Sequence, residues 1–154
     1  MKKKYAIVTG AGGYLGKYHC ETLIKNHYNV IALDKNVLKL NILKKKFNNI
    51  KSLIIYKIDL TKTEQIIKFG KYIKKKKHKI RVLINNAAID AVPTKTKTKY
   101  FFDVVQWNLE ISVGLTAAYL MTLVCAENMI KQNNGIIINI GSDLSVIAPN
   151  QKIY

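Results

Sequence analysis

Only two of the 154 residues are cysteine, Cys20 and Cys125, and they lie far apart without a CxxC pair. That is the usage of buried, reduced thiols. His19, His27 and His78 show no ligand spacing with each other or with the cysteines, so no metal site is expected. Arginine is scarcer still, with Arg81 standing alone. The formal charge of +17 is therefore almost all lysine, spread along the chain. Proteins that read bases or clamp phosphates lean on arginine forks. Lysine, asparagine and isoleucine are abundant together, as coding bias toward A and T produces, so no nucleic-acid partner is expected. No apolar run reads as long enough for a membrane helix. The basic start "MKKKYAIVTG" has an apolar part that stops at Thr9, too short for an export signal. The expectation is a cytoplasmic chain with no membrane partner.

What is present suits one domain with an ample core, since 49% of residues are apolar. Five short, β-branched runs stand out: Tyr5–Thr9, Val30–Leu33, Ser52–Tyr56, Val82–Asn85 and Ile136–Ile140. Each is apolar at nearly every position, the pattern of strands buried on both faces. Helical patterns lie between them. Gly16, Cys20, Leu23 and Ile24 share one face of the first; Val37 to Phe47 forms the second. The third opens on "TKTE", where Thr61 and Glu64 are spaced as a capping box. The fourth runs from about Phe101 to Lys131, with Leu115, Ala118, Thr122, Cys125 and Met129 at helical spacing and room for a break. Alternating strand and helix predicts an α/β doubly wound parallel sheet, a Rossmann fold. The irregular stretch Asp90–Tyr100 follows the fourth strand, at the sheet end where such folds bind ligands.

The first strand runs into "TGAGGYLG". Here Gly10 can make a tight turn, Gly13 can lie against a pyrophosphate with no Cβ in the way, and Gly16 can let the helix pack close to the sheet. Amides at the helix start would face the anion. Asp34 ends the second strand, where a carboxylate can accept both ribose hydroxyls of an adenosine and repel a 2′-phosphate. NAD is thus expected over NADP, with Lys35 beside Asp34 softening the repulsion.

Together these residues resemble the short-chain dehydrogenase/reductases, over nearly the whole chain. "TGAGGYLG" resembles the family's cofactor loop, which implies cofactor contact at Thr9, Gly10, Gly13, Tyr14, Leu15 and Gly16. "DL" at Asp59–Leu60 is similar to its adenine-contacting pair. "NNAA" at Asn85–Ala88 is similar to its Asn-Asn-Ala-Gly element, implying contact at Asn86 and Ala87, with Ala88 where glycine is usual. "WNLE" resembles the segment carrying an active-site Asn, here Asn108, and "INIGS" the strand end carrying a catalytic Ser, here Ser142. Tyr14 stands where the commonest loop has glycine; the spacing matches the sugar-nucleotide epimerase branch and some others. "NNAAIDAVP" and "SDLSVIAPNQKIY" resemble a bacterial subgroup found near genes for surface-sugar or flagellin-glycan synthesis, which points to a sugar-type substrate.

The resemblance implies hydride transfer between a nicotinamide and a carbonyl or secondary alcohol. Ser142 would hydrogen-bond the reacting oxygen, and a tyrosine would move the proton. Free tyrosine has a pKa near about 10 and is a poor base at neutral pH; an ammonium four residues on lowers it. The family's Tyr-x-x-x-Lys is not met before the sequence ends at Tyr154. Tyr154 is either the catalytic tyrosine or one that precedes an insertion. The expectation is therefore a cofactor-binding half ending after the fifth strand, inactive alone, with that strand as a bare edge. Full-length members are usually homo-oligomers. Two alternatives stand beside it: a non-catalytic dinucleotide-binding module, which needs the glycines and Asp34 but no Tyr–Lys pair, and a basic nucleic-acid binder.

Overall fold

The computed structural model describes residues 3–89 and 103–142. Five parallel strands form one sheet: β1 (Lys4–Thr9), β2 (Asn29–Asp34), β3 (Leu53–Lys57), β4 (Lys79–Asn85) and β5 (Ile136–Asn139), in the order β3-β2-β1-β4-β5. The register runs Tyr5 opposite Asn29 on one side of β1 and Val8 opposite Ile84 on the other. The doubly wound parallel fold is thus present.

Helices cover both faces. α1 (Tyr14–Lys25) and α2 (Val37–Lys46) bury Cys20, Leu40 and Leu43 against Ala6, Val8, Val30 and Ala32. α3 (Thr63–Lys75) and α4 (Val104–Ile130) bury Ile66, Phe69, Ile73, Met121 and Cys125 against Ile7, Ile31, Leu33 and Leu83. Both faces of the central strands are therefore covered, which is why they read as unbroken apolar runs. Burial pushes the Cys20 and Cys125 thiols up to about 12, and neither is in a disulfide.

Three expectations about the helices change. The Thr61–Glu64 capping box does not form. α3 begins at Thr63, and no side chain caps it. Thr61 turns instead toward Asp59, donating to Oδ1 from its amide (3.0 Å) and its hydroxyl (2.8 Å). An aspartate two residues earlier offers an Asx turn that competes for the same groups. The stripe on α4 also differs. The buried residues are Val113, Ala117, Met121, Cys125 and Met129, while Leu115 is 65% exposed. Residues Ser112–Ala117 wind as a π-helix, and the wider turn shifts the face that an ideal helix would present.

The third change concerns how apolar the fourth helix is. α4 has 27 residues and is apolar enough to cross a membrane by length and composition. Asn108, Glu110 and Ser112 interrupt the apolar run and hide this in the sequence. The described helix packs one stripe on α3 and the sheet. The expected extension to Phe101, the stretch Asp90–Tyr100 and Tyr154 lie outside the described residues.

Candidate functional site

A cavity of about 520 Å³ opens at the C-terminal ends of the strands, where doubly wound sheets hold ligands. Its wall carries Gly10, Gly13, Tyr14 and Leu15 from the first loop and Asp34 from β2. Asp59 and Leu60 follow β3, and Asn86 and Ala87 follow β4. These nine of the expected cofactor residues are brought together.

The glycine loop explains itself at two positions. Gly10 has φ +61°, and a Cβ there would lie 2.9 Å from Ala87 Cα. Only glycine enters this left-handed conformation without strain while letting the two loops touch. A Cβ on Gly16 would collide with Gly10 O and Ala11 Cα, so α1 can start only this close to the loop without one. Gly13 is the N-cap, and no side chain caps α1. Tyr14 and Leu15, on the first turn of α1, line the cavity, and helix starts carry free amides that favour an anion.

Thr9 and Gly16, expected as contacts, do not line the cavity. Both shape it. Thr9 is buried; its hydroxyl donates to Ile84 O (3.4 Å) and accepts from the amides of Asn86 (2.9 Å) and Ala87 (3.0 Å). Asn86 returns the link, its Nδ2 donating to Thr9 O (3.0 Å) and Gly10 O (3.2 Å). The ends of β1 and β4 are laced into one rim. Asn85 is structural beside it, its Nδ2 reaching Asn139 Oδ1 (2.8 Å) and Ala118 O (3.3 Å).

Asp34 holds the other rim. Its Oδ2 accepts from the Gly12 amide and its Oδ1 from the Asn36 amide, both at 2.9 Å. Each carboxylate oxygen keeps further lone pairs for a ligand. Beyond it, burial raises the Asp59 pKa, but the Thr61 hydrogen bonds and the charges of Lys35 and Lys62 outweigh this and hold it below its ordinary value.

Lys35, Lys39, Ile58, Thr61, Ala88, Ile89 and Val113 also line the cavity. Lys39 was not foreseen; its place one turn into the helix after Asp34 is the signal that could have found it. Asn108 and Ser142 are exposed and do not line the cavity. Among the described residues, no cluster of His, Cys, Asp or Glu could hold a metal ion.

A family model described as short chain dehydrogenase matches residues 4–154. The chain is 33% identical to the 3-oxoacyl-[acyl-carrier-protein] reductase FabG of Buchnera aphidicola subsp. Baizongia pistaciae, over 94% of this chain and 57% of that protein. It is 28% identical to a NAD-dependent glycerol dehydrogenase of Listeria innocua, over 97% of this chain and 57% of that one. A crystal structure of a metagenomic short-chain oxidoreductase in complex with NADP superposes with a TM-score of 0.83 at 25% identity, over 96% of this chain and 66% of that one. The chain thus spans somewhat over half the length of the relatives it matches.

Proposed function

The chain belongs to the short chain dehydrogenase family, and from that premise we propose that it is the dinucleotide-binding part of an oxidoreductase acting on a carbonyl or secondary alcohol. The observation that carries the reading is the cavity itself. Gly13 and the uncapped start of α1 form one wall, and Asp34 stands on the next. The amides at that helix start would hold the pyrophosphate. Asp34 would accept the adenosine ribose hydroxyls while keeping the Gly12 amide in place. Asp59 and Leu60 would meet the adenine, and Asn86 and Ala87 the segment toward the nicotinamide. The bound nicotinamide supplies or takes the hydride. Ser142 would hydrogen-bond the reacting oxygen, and Asn108 would support the proton path.

The family binds NAD(P). For this chain we propose NAD, because a 2′-phosphate would lie against the Asp34 carboxylate. Two observations limit the margin: Lys35 and Lys39 line the same part of the cavity, and a structural neighbour was crystallised with NADP. NADP is therefore a serious competitor. The sugar-type substrate rests on the segments "NNAAIDAVP" and "SDLSVIAPNQKIY" alone. The relatives named above are a 3-oxoacyl reductase and a glycerol dehydrogenase, so the glycan subgroup gains no support from them.

Fluorescence titration of NADH against NADPH tests the proposal. NADH should bind about tenfold tighter, a difference of about 1.4 kcal/mol. Asp34→Asn should narrow that ratio, since it removes the charge that repels the 2′-phosphate. Equal binding of both dinucleotides by wild type and variant would contradict the assignment to Asp34. A second reading is a dinucleotide-binding module without catalysis, which needs only the glycines and Asp34 that the cavity brings together. Hydride transfer by the protein, followed by nicotinamide absorbance and lost in Ser142→Ala, would exclude it.

A further inference from the structure

Gln65 lies on the first turn of α3, and the sequence gives it no role. In the structure its Oε1 accepts the amide of Asp59 at 2.8 Å. That contact closes a small, fully tied loop. Ile58 N donates to Asp34 O (3.0 Å), Lys62 N donates to Asp59 O (3.1 Å), and Thr61 occupies Asp59 Oδ1 through two hydrogen bonds. Asp59, Leu60 and Thr61 all line the cavity, while Gln65 stands behind them. With Oδ1 taken by Thr61, Oδ2 is the Asp59 oxygen left for a ligand among the described contacts. Gln65 holds the backbone from which that side chain projects.

We propose that Gln65 is a positioning residue for the purine subsite: by anchoring the Asp59 amide it aims the Asp59 carboxylate at the exocyclic amine of the base. The inference rests on the dinucleotide reading above and adds a determinant of base selectivity to it. The chemistry is specific. An adenine amine donates to a carboxylate; the carbonyl of hypoxanthine at that position cannot, and two acceptors then face each other. The ionised state of Asp59 agrees with such a contact, since its pKa lies below the ordinary carboxylate value.

The test compares NADH with its hypoxanthine analogue, deamino-NADH, in fluorescence titrations of the 154-residue chain, Gln65→Ala and Gln65→Glu. Wild type should prefer NADH by about ten- to a hundredfold, the size of one hydrogen bond to a charged group. Gln65→Ala should bring that ratio close to one. Gln65→Glu, which keeps an acceptor for the Asp59 amide, should retain it. If Gln65 merely stabilises α3, Gln65→Ala will lower the melting temperature and weaken both dinucleotides alike, leaving the ratio unchanged; that overturns the proposal. A wild type that binds both equally also overturns it while leaving the dinucleotide site standing. A wild type that binds neither removes the site and the inference together.

Discussion

Thr9 ends β1 with a hydroxyl that meets three backbone groups across the rim of the cavity. Replacing it by valine keeps the shape of the side chain and leaves the amides of Asn86 and Ala87 without that acceptor. Each unsatisfied buried group costs about 1–3 kcal/mol, so Thr9→Val should lower stability by at least about 2 kcal/mol in urea melts. An unchanged midpoint would show that the rim is not held this way. The sequence marked Thr9 as a cofactor contact because it belongs to the loop motif. Its partners come from residues 75 to 78 positions away, which no local pattern displays. Gly10 and Asp34 were legible because their chemistry is local: one follows a strand directly, the other ends one. Lys39 and Gln65 were not, since each acts by touching a neighbouring loop.

Elements meet at two further places that the sequence hides. Asn128 on α4 accepts the Ile80 amide (2.9 Å) and donates to His78 O (3.0 Å), fixing the entry of β4. Asn128→Ala should cost about 1–3 kcal/mol by leaving that entry unpaired, read as a drop in the melting midpoint. Glu127 bridges α3 and α4, accepting from Lys74 Nζ (2.7 Å) and Lys131 Nζ (2.9 Å). Hydrogen bonds from these lysines lower its pKa from 4.5 to about 2. A carboxylate lowered in the folded state stabilises above its unfolded pKa and loses that contribution as pH falls through the folded one. The stability gap between wild type and Glu127→Gln should therefore close between pH 4.5 and about 2. Being exposed, the bridge is worth little, and salt should shrink it further. His78 gives the same sign at higher pH. Burial and Lys76 lower its pKa from 6.5, so stability should fall as pH drops below that value, and His78→Phe should remove the dependence. Helix existence and order were legible from periodicity. The π-helical turn at Ser112–Ala117 was not, because it changes winding without changing composition.

At the scale of the molecule, the described residues leave apolar surface exposed along β5 and α4. β5 stands at the edge of the described sheet with Ile136 (58% exposed) and Ile138 facing out. Val105, Trp107, Leu115, Tyr119 and Leu123 are exposed on α4. Monomers rarely expose more than a few hundred Å² of contiguous apolar surface. The 154-residue chain should brighten an apolar dye and self-associate with rising concentration in sedimentation, and Leu123→Glu should reduce both. A monodisperse chain that ignores the dye would mean that this face is covered. The fifth strand itself was legible from "GIIINI", as a short β-branched apolar run. The long apolar face of α4 was masked by its scattered polar residues.

The central claim is that the glycine bend and the first turn of α1 form a pyrophosphate seat. Gly13→Ala probes it: Gly13 lines the cavity, and a Cβ there meets Gly10 O at 3.1 Å, a contact that makes the bend give slightly. NADH titration by fluorescence, run beside circular dichroism on both proteins, is the most direct measurement. Saturable binding by wild type, weakened at least about tenfold in a Gly13→Ala protein with the wild-type spectrum, is the predicted result. Equal NADH affinity in the two folded proteins would contradict it.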